Sequence, residues 1–371
     1  MKVLIISVKA GFGHHSTAHA IIDYLKDRDV HCEMLDTFEY INPVLADSID
    51  NGYLFSTKYI PELYGKAYDR LDKREEKYDK RSLIAVLSKL VSHKLKDFIK
   101  SYNPDVIVGT HSYACMLMTY LRDKEIVNCP LVGIVTDFTV HPFWESTELD
   151  YYVTADKMLE NQLRKKGIPS EKMLPYGIPI KKSFSNKMPK EDARKELGIA
   201  DKTTILLMMG SMGFGNIAKD MKAIDEFDAD FQILCVCGNN EKTLREIEAS
   251  NWKKTVIPFG FVNNVDVMMD AADFIITKPG GLTTSEFLAK ELPAVIMNPI
   301  PGQEYRNTEF LVNNGAAIMV TDTFSLDEAL FEILKSPWRL ELLKKSVEKL
   351  AKPNSTHDVC EYILKLARGE E

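Results

Sequence analysis

Lys278-Pro279-Gly280-Gly281-Leu282-Thr283-Thr284-Ser285-Glu286 carries the densest chemistry in the chain. The apolar run Phe274-Ile275-Ile276 before it reads as a buried strand, and Phe287-Leu288-Ala289 after it reads as helix. A Gly-Gly turn that opens a helix lets backbone come close to a ligand. The helix N-terminus then offers unpaired N–H groups and partial positive charge to an anion. Lys278, Gly280, Gly281 and Thr283 are the candidate ligand contacts of this turn, and Glu286, one turn into the helix, is placed to accept hydrogen bonds from a pair of sugar hydroxyls. Pro301-Gly302-Gln303-Glu304-x-x-Asn307 adds amide and carboxylate groups suited to further hydroxyls, so Gln303, Glu304 and Asn307 join the candidates. Together the two stretches point to a nucleotide-sugar site.

Four more segments follow apolar runs. Gly11-Phe12-Gly13-His14-His15 follows Val3-Leu4-Ile5-Ile6 and leads into a helix at Ser16-Thr17-Ala18. It is not a complete dinucleotide fingerprint: Ser16 stands where the third glycine would be, and Asp36 is the one acidic residue placed to end a second strand. By itself His14 reads as a structural histidine; facing a sugar-nucleotide loop it reads as a general base, with His15 ranked behind it. Asp137, in Thr136-Asp137-Phe138 after Leu131-Val132-Gly133-Ile134-Val135, reads as a turn cap, as the partner that orients a histidine, or as the base itself. His111 also follows a strand, and the sequence gives it no partner. Gly210-Ser211-Met212-Gly213-Phe214-Gly215 is a second flexible turn before a helix, so Gly210, Ser211 and Gly213 are candidate phosphate or sugar contacts. Gly260-Phe261-Val262 reads as a short strand-edge segment whose backbone could pair with a base edge.

These residues need elements to hold them. Apolar runs at 3–8, 105–109, 131–135, 204–209, 231–237, 273–276 and 294–297 predict strands, with helices between them at 15–27, 112–122, 217–226, 241–249 and 282–290. That alternation predicts an α/β fold of parallel sheets covered on both faces. The pattern occurs twice, on either side of the polar, proline-bounded stretch 179–189. The expectation is two Rossmann-like, doubly wound domains, 1–185 and 190–337, facing across a cleft, with helices in 338–371 returning to brace the first domain. Ligands should then bind at the carboxyl ends of the strands.

The 371 residues are enough for two cores, and a formal net charge of −7 argues against general nucleic-acid binding. The six cysteines show no CxxC spacing and read as buried free thiols in a reducing cytosol. There is no strand-ending Asp-x-Asp and no His/Cys cluster of ligand spacing, so a catalytic metal is not implied, and assistance by Mg²⁺ is left open. Met1-Lys2 runs straight into a strand and no apolar run approaches membrane-spanning length, so a cytoplasmic protein, with neither signal peptide nor anchor, is expected. Residues 40–100 interrupt the alternation. Between Lys58 and Lys100 stand 12 Lys or Arg against 7 Asp or Glu, among Tyr53, Phe55, Tyr59, Tyr64, Tyr68 and Tyr78. Leu83, Leu87, Leu90, Val91, Leu95 and Phe98 recur at helical spacing, which fits an amphipathic helix packed on the first domain. The aromatic and basic mixture also fits a patch resting on anionic lipid.

These motifs resemble those of the processive diacylglycerol glycosyltransferases, the monogalactosyldiacylglycerol-synthase-like group of glycosyltransferase family 28. The resemblance rests on Gly11-x-Gly13-His14, on Thr136-Asp137-Phe138 with His141-Pro142-x-Trp144, and on the tandem Lys278–Glu286 and Pro301–Asn307 signatures, and it covers nearly the whole chain. It implies a GT-B fold and an inverting transfer of hexose from a UDP-sugar, UDP-glucose before UDP-galactose, to diacylglycerol or a glycosyl-diacylglycerol. It also implies His14 as base with Asp137 supporting or substituting, Glu286 on the ribose, and Gln303, Glu304 and Asn307 near the transferred sugar. Phe261 and Val262 would lie by uracil. No cofactor beyond the donor is implied, and the protein would sit peripherally on the cytoplasmic face of an anionic membrane through residues 53–100. Three other readings share parts of this pattern: a UDP-sugar epimerase, a non-catalytic sugar-nucleotide sensor, and a transferase acting on a polyprenyl-linked acceptor.

Overall fold

A computed structural model describes residues 1–9, 13–41, 65–66, 93–210 and 217–370. The chain divides into two compact units, one of residues 1–182, 301–303 and 354–371, the other of 183–300 and 304–353. Candidates Gly11, Ser211 and Gly213, and most of the aromatic and basic stretch at 53–92, lie outside the described residues.

The N-terminal unit is built on one parallel sheet of β1 (Lys2–Ser7), β2 (His31–Asp36), β3 (Val106–Gly109), β4 (Leu131–Ile134), β5 (Tyr151–Val153) and β6 (Met173–Leu174), in the order β2-β1-β3-β4-β5-β6. Its helices are α1 (Gly13–Lys26), α2 (Thr37–Ile41), α3 (His93–Tyr102), α4 (Ser112–Asp123) and α5 (Glu160–Lys165). The C-terminal unit repeats the plan with β7 (Thr204–Met208), β8 (Gln232–Val236), β9 (Thr255–Phe259), β10 (Phe274–Thr277), β11 (Ala294–Ile296) and β12 (Ala317–Met319), all parallel, in the order β12-β11-β10-β7-β8-β9. Between the sheets come α6 (Lys182–Ser185) and α7 (Lys190–Glu196). The second sheet carries α8 (Ile217–Glu226), α9 (Glu241–Ala249), α10 (Val265–Ala271), α11 (Gly281–Ala289), α12 (Gln303–Asn313) and α13 (Leu326–Leu334), and α14 (Pro337–Leu350) and α15 (Ser355–Ala367) close the chain.

The strands legible in the sequence are the interior ones, because a parallel strand covered on both faces must be apolar throughout. Ile205, Leu206 and Leu207 of β7 and Phe274, Ile275 and Ile276 of β10 are all fully buried. The sheet edges stand out less: β2 carries His31, Glu33 and Asp36, Pro258 interrupts β9, and β6 and β12 are two and three residues long. β2 is half-exposed along its length, and β9 tolerates Pro258 because an edge position can spare the N–H. β5, three residues long, lies outside the expected runs. The expected strand edge at Gly260–Val262 is a bend just past the end of β9.

The expected linker is partly helical, since α6 falls inside it and buries Phe184. Its far end is fastened within the C-terminal unit. Lys290 Nζ donates to the Asn186 carbonyl and, at 2.6 Å, to Asp270, which also accepts the Met188 N–H at 3.1 Å. The tail expected to brace the first domain is split: α14 belongs to the C-terminal unit and α15 to the N-terminal one. There α15 packs Val359, Ile363 and Leu364 into the core formed with Ile21 and Leu25 of α1. Ile180 N–H donates to Thr356 Oγ1, and that hydroxyl donates back to the Ile180 carbonyl at 2.6 Å, pinning the helix to the strand-side chain. α3 supplies the described end of the amphipathic helix, with Leu95 and Ile99 buried and Lys94 and Lys100 exposed, so that part is core on one face. Cys115, Cys235, Cys237 and Cys360 are buried free thiols, and Cys32 and Cys129 are partly buried.

Candidate active site

Each sheet has one point where neighbouring strands are followed by connections running in opposite directions, between β1 and β3 in the first and between β7 and β10 in the second. Ligands of open α/β sheets bind outside the strand carboxyl ends at such points. The candidate loops lie there. His14 and His111 follow β1 and β3; Gly210 and Lys278–Gly281 follow β7 and β10.

In the N-terminal unit His14 is the second residue of α1, and its Nδ1 is 2.8 Å from the Thr110 carbonyl oxygen. A carbonyl oxygen only accepts, so Nδ1 carries the proton and Nε2 carries the lone pair. Thr136 Oγ1 lies 3.0 Å from the same Nδ1 and accepts a share of that proton. Burial pushes the His14 pKa down to about 4, against a smaller upward pull from the Thr110 carbonyl. The ring is therefore neutral at physiological pH, with its basic nitrogen chosen by the backbone. Asp137 is half-buried in the turn after β4, and the residue of this turn that touches His14 is its neighbour Thr136.

His15 points elsewhere. Its Nε2 is 2.9 Å from Asp36 Oδ2, and Asp36 also accepts N–H groups of Lys9, Phe38 and Glu39. Burial raises the Asp36 pKa, but the His15 contact and these backbone donors outweigh it and hold the carboxyl below its ordinary value. Asp36 thus ends β2, as the sequence placed it, and ties the start of the glycine loop at Lys9 to the helix after it. That work needs no dinucleotide ribose.

In the C-terminal unit Gly210 has φ +82°, in the region that favours glycine. Gly280 is the N-cap of α11 and, having no side chain, makes no capping hydrogen bond; among the described residues a Cβ added at Gly280 would meet nothing within 4 Å. Space beside unsatisfied N–H groups is what a phosphate needs. Thr283 and Glu286 are half-buried on α11. Lys278, 7% exposed, pairs with Glu304 at 3.3 Å, and Glu304 Oε2 also accepts the Ile300 N–H at 2.7 Å. Asn307 is fully buried and donates to the Pro279 carbonyl at 3.0 Å. Glu304 and Asn307, expected beside the sugar, are thus both engaged in holding the two signature loops together. Gln303 opens α12, half-buried, and Phe261 is 61% exposed beside half-buried Val262. Sequence reasoning missed Thr110 and Thr136, whose contacts with His14 follow from β1 lying next to β3 and from the turn after β4.

Two units, each a parallel, doubly wound sheet with candidate loops at its switch point, have the plan of the GT-B fold. Solved structures agree in fold. Acinetobacter baumannii MurG superposes with TM-score 0.62 at 17% identity, over 98% of this chain and 99% of that one. A Neisseria meningitidis UDP-GlcNAc 2-epimerase, solved with UDP-GlcNAc, gives 0.59 at 14% identity over 98% and 100%. At these identities the likeness shows the fold alone. The pattern of monogalactosyldiacylglycerol (MGDG) synthase matches residues 14–180, and that of the glycosyltransferase family 28 C-terminal domain matches residues 204–358. A Bacillus pumilus protein named processive diacylglycerol beta-glucosyltransferase is 28% identical over 370 residues, covering 98% of this chain and 94% of the relative. The chain belongs to glycosyltransferase family 28, and it is a glycosyltransferase enzyme.

Proposed function

We propose that this enzyme moves a hexose from a UDP-sugar, UDP-glucose before UDP-galactose, to diacylglycerol or a glycosyl-diacylglycerol, with inversion to a β-glycoside. The nearly full-length likeness to a named diacylglycerol glucosyltransferase supports the substrates. One observation carries the chemistry: His14 is neutral, its Nδ1 proton is committed to Thr110, and its Nε2 lone pair remains to take a proton.

In this scheme the C-terminal unit binds the donor. N–H groups at the start of α11 and in the turn at Gly210 meet the diphosphate and stabilise the charge that grows on the leaving UDP. Glu286 binds the ribose hydroxyls, Phe261 and Val262 flank uracil, and Thr283 and Gln303 reach the phosphate and sugar. Lys278, Glu304 and Asn307 keep the two loops in register. His14 Nε2 removes the acceptor hydroxyl proton as that oxygen attacks the anomeric carbon and the bond to UDP breaks, so one displacement inverts the centre. Burial makes His14 a weak base, so it gains the proton late, once the attacking oxygen has become acidic. Thr136 fixes the ring, and Asp137, the next residue of the turn, supports the base or substitutes for it.

No helix among the described residues is long and apolar enough to cross a membrane. The scheme therefore brings the enzyme to its lipid acceptor through the basic, aromatic stretch at 53–100, resting on anionic headgroups.

Labelled UDP-glucose and UDP-galactose, each with and without diacylglycerol vesicles, test the reading. It expects label in the lipid phase that depends on diacylglycerol. A changed sugar nucleotide without acceptor would favour the epimerase, label only on a polyprenyl carrier would favour that acceptor, and donor binding without turnover would favour the sensor.

A further inference from the structure

Three histidines stand beyond the carboxyl ends of β1, β3 and β4: His14, His111 and His141. His111 is the N-cap of α4, and its Nδ1 accepts the Tyr113 N–H at 3.1 Å. A ring nitrogen that accepts bears no proton, so neutral His111 carries its proton on Nε2. Burial, with the His14 and His141 imidazoles nearby, lowers its pKa well below the ordinary value and keeps it neutral. His14 has the opposite tautomer, with the proton on Nδ1 and the lone pair on Nε2. The two rings meet edge to face with centroids 4.5 Å apart. Among the described residues neither Nε2 has a hydrogen-bond partner, and neither is among the fully buried polar atoms left unsatisfied. The pair of touching rings thus offers one lone pair and one N–H. An alcohol with a second oxygen close to its reacting hydroxyl needs that pair: the hydroxyl gives its proton to the lone pair, and the neighbouring oxygen receives the N–H.

We propose that His111 binds the acceptor, its Nε2–H donating a hydrogen bond to an oxygen adjacent to the hydroxyl that His14 deprotonates. The inference rests on the reading of His14 as the base. The oxygen is an ester oxygen of a glycerolipid or a hydroxyl of a sugar already attached, and the two acceptors are assayed separately.

His111→Ser and His111→Asn both keep a capping oxygen for α4, and only Asn returns an N–H. Full-length protein is assayed with UDP-glucose on mixed phosphatidylcholine and phosphatidylglycerol vesicles, which supply anionic headgroups, carrying either diacylglycerol or glucosyl-diacylglycerol. His111→Ser should lower kcat/KM for the acceptor about tenfold, one hydrogen bond's worth, with UDP affinity and melting temperature kept. His111→Asn should recover part of the loss. Loss on both acceptors places the contact on an oxygen they share; loss on one alone assigns it to that acceptor. Wild-type kcat/KM in His111→Ser overturns the proposal. So does an equal loss in both variants accompanied by a lower melting temperature, which would make His111 a structural cap. If wild-type protein labels neither lipid, the proposed function fails and this inference fails with it; if wild type labels them and His111→Ser matches it, this inference alone fails.

Discussion

Acidification probes His14 most sharply. Burial holds its imidazole at about 4, where an ordinary histidine titrates at 6.5. At pH ~5.5 about 97% of such a ring stays neutral, against about 9% for an unperturbed one. The sign follows from which form works. Nε2 must be unprotonated to act as a base, and a lowered pKa extends that form to lower pH. The acid limb of kcat/KM should therefore fall well below 6.5, toward 4. The same shift weakens the fold: the unfolded chain protonates His14 below 6.5 while the native state resists until about 4, so stability declines across that window. Initial transfer rates should be measured from pH ~4.5 to ~7.5 at constant ionic strength, with melting temperature followed at each pH. An acid limb centred near 6.5 in protein that remains folded would refute the reasoning, because it would mean that the working base is solvated.

The other predictions concern the supports of the site. Lys278→Met leaves Glu304 without its cation in a mostly buried place and should cost about 3 kcal/mol in urea unfolding, while adding Glu304→Gln should return part of it. Asp36→Ala removes the acceptor for three backbone N–H groups and for His15, and should cost about 2 kcal/mol at neutral pH. Because the Asp36 pKa is lowered on folding, its contribution is present above the ordinary carboxylate range and is lost as pH falls through the lowered value, so the gap between variant and wild type should close in acid. Co-sedimentation with vesicles should need anionic lipid and weaken as salt is raised; binding indifferent to both would remove the electrostatic role of residues 53–100.

Much of this architecture was readable before any coordinates. Interior strands such as β7 and β10 must be apolar on both faces, and they stand out as runs; β2 and β9 each have an uncovered edge, and the polar residues of β2 and Pro258 of β9 break the run. The turns with special backbone were legible because glycine marks them, as at Gly210 and Gly280. What sequence could not supply is contact between distant segments. That Thr110 chooses the tautomer of His14 depends on β1 lying beside β3, some hundred residues apart in the chain. Asn307 carries an amide suited to a hydroxyl, and its donation to the Pro279 carbonyl, which joins the two signature stretches, is a contact the sequence does not display. His111 had no partner on paper because the N–H it accepts belongs to the backbone, which the sequence does not display.

His14→Gln, compared with wild type for both UDP binding by calorimetry and transfer of labelled glucose into diacylglycerol vesicles, tests the central claim most directly. The account predicts unchanged UDP affinity and a turnover lower by about 10²–10⁴-fold, the scale of general base catalysis. Equal turnover in the two proteins would contradict it.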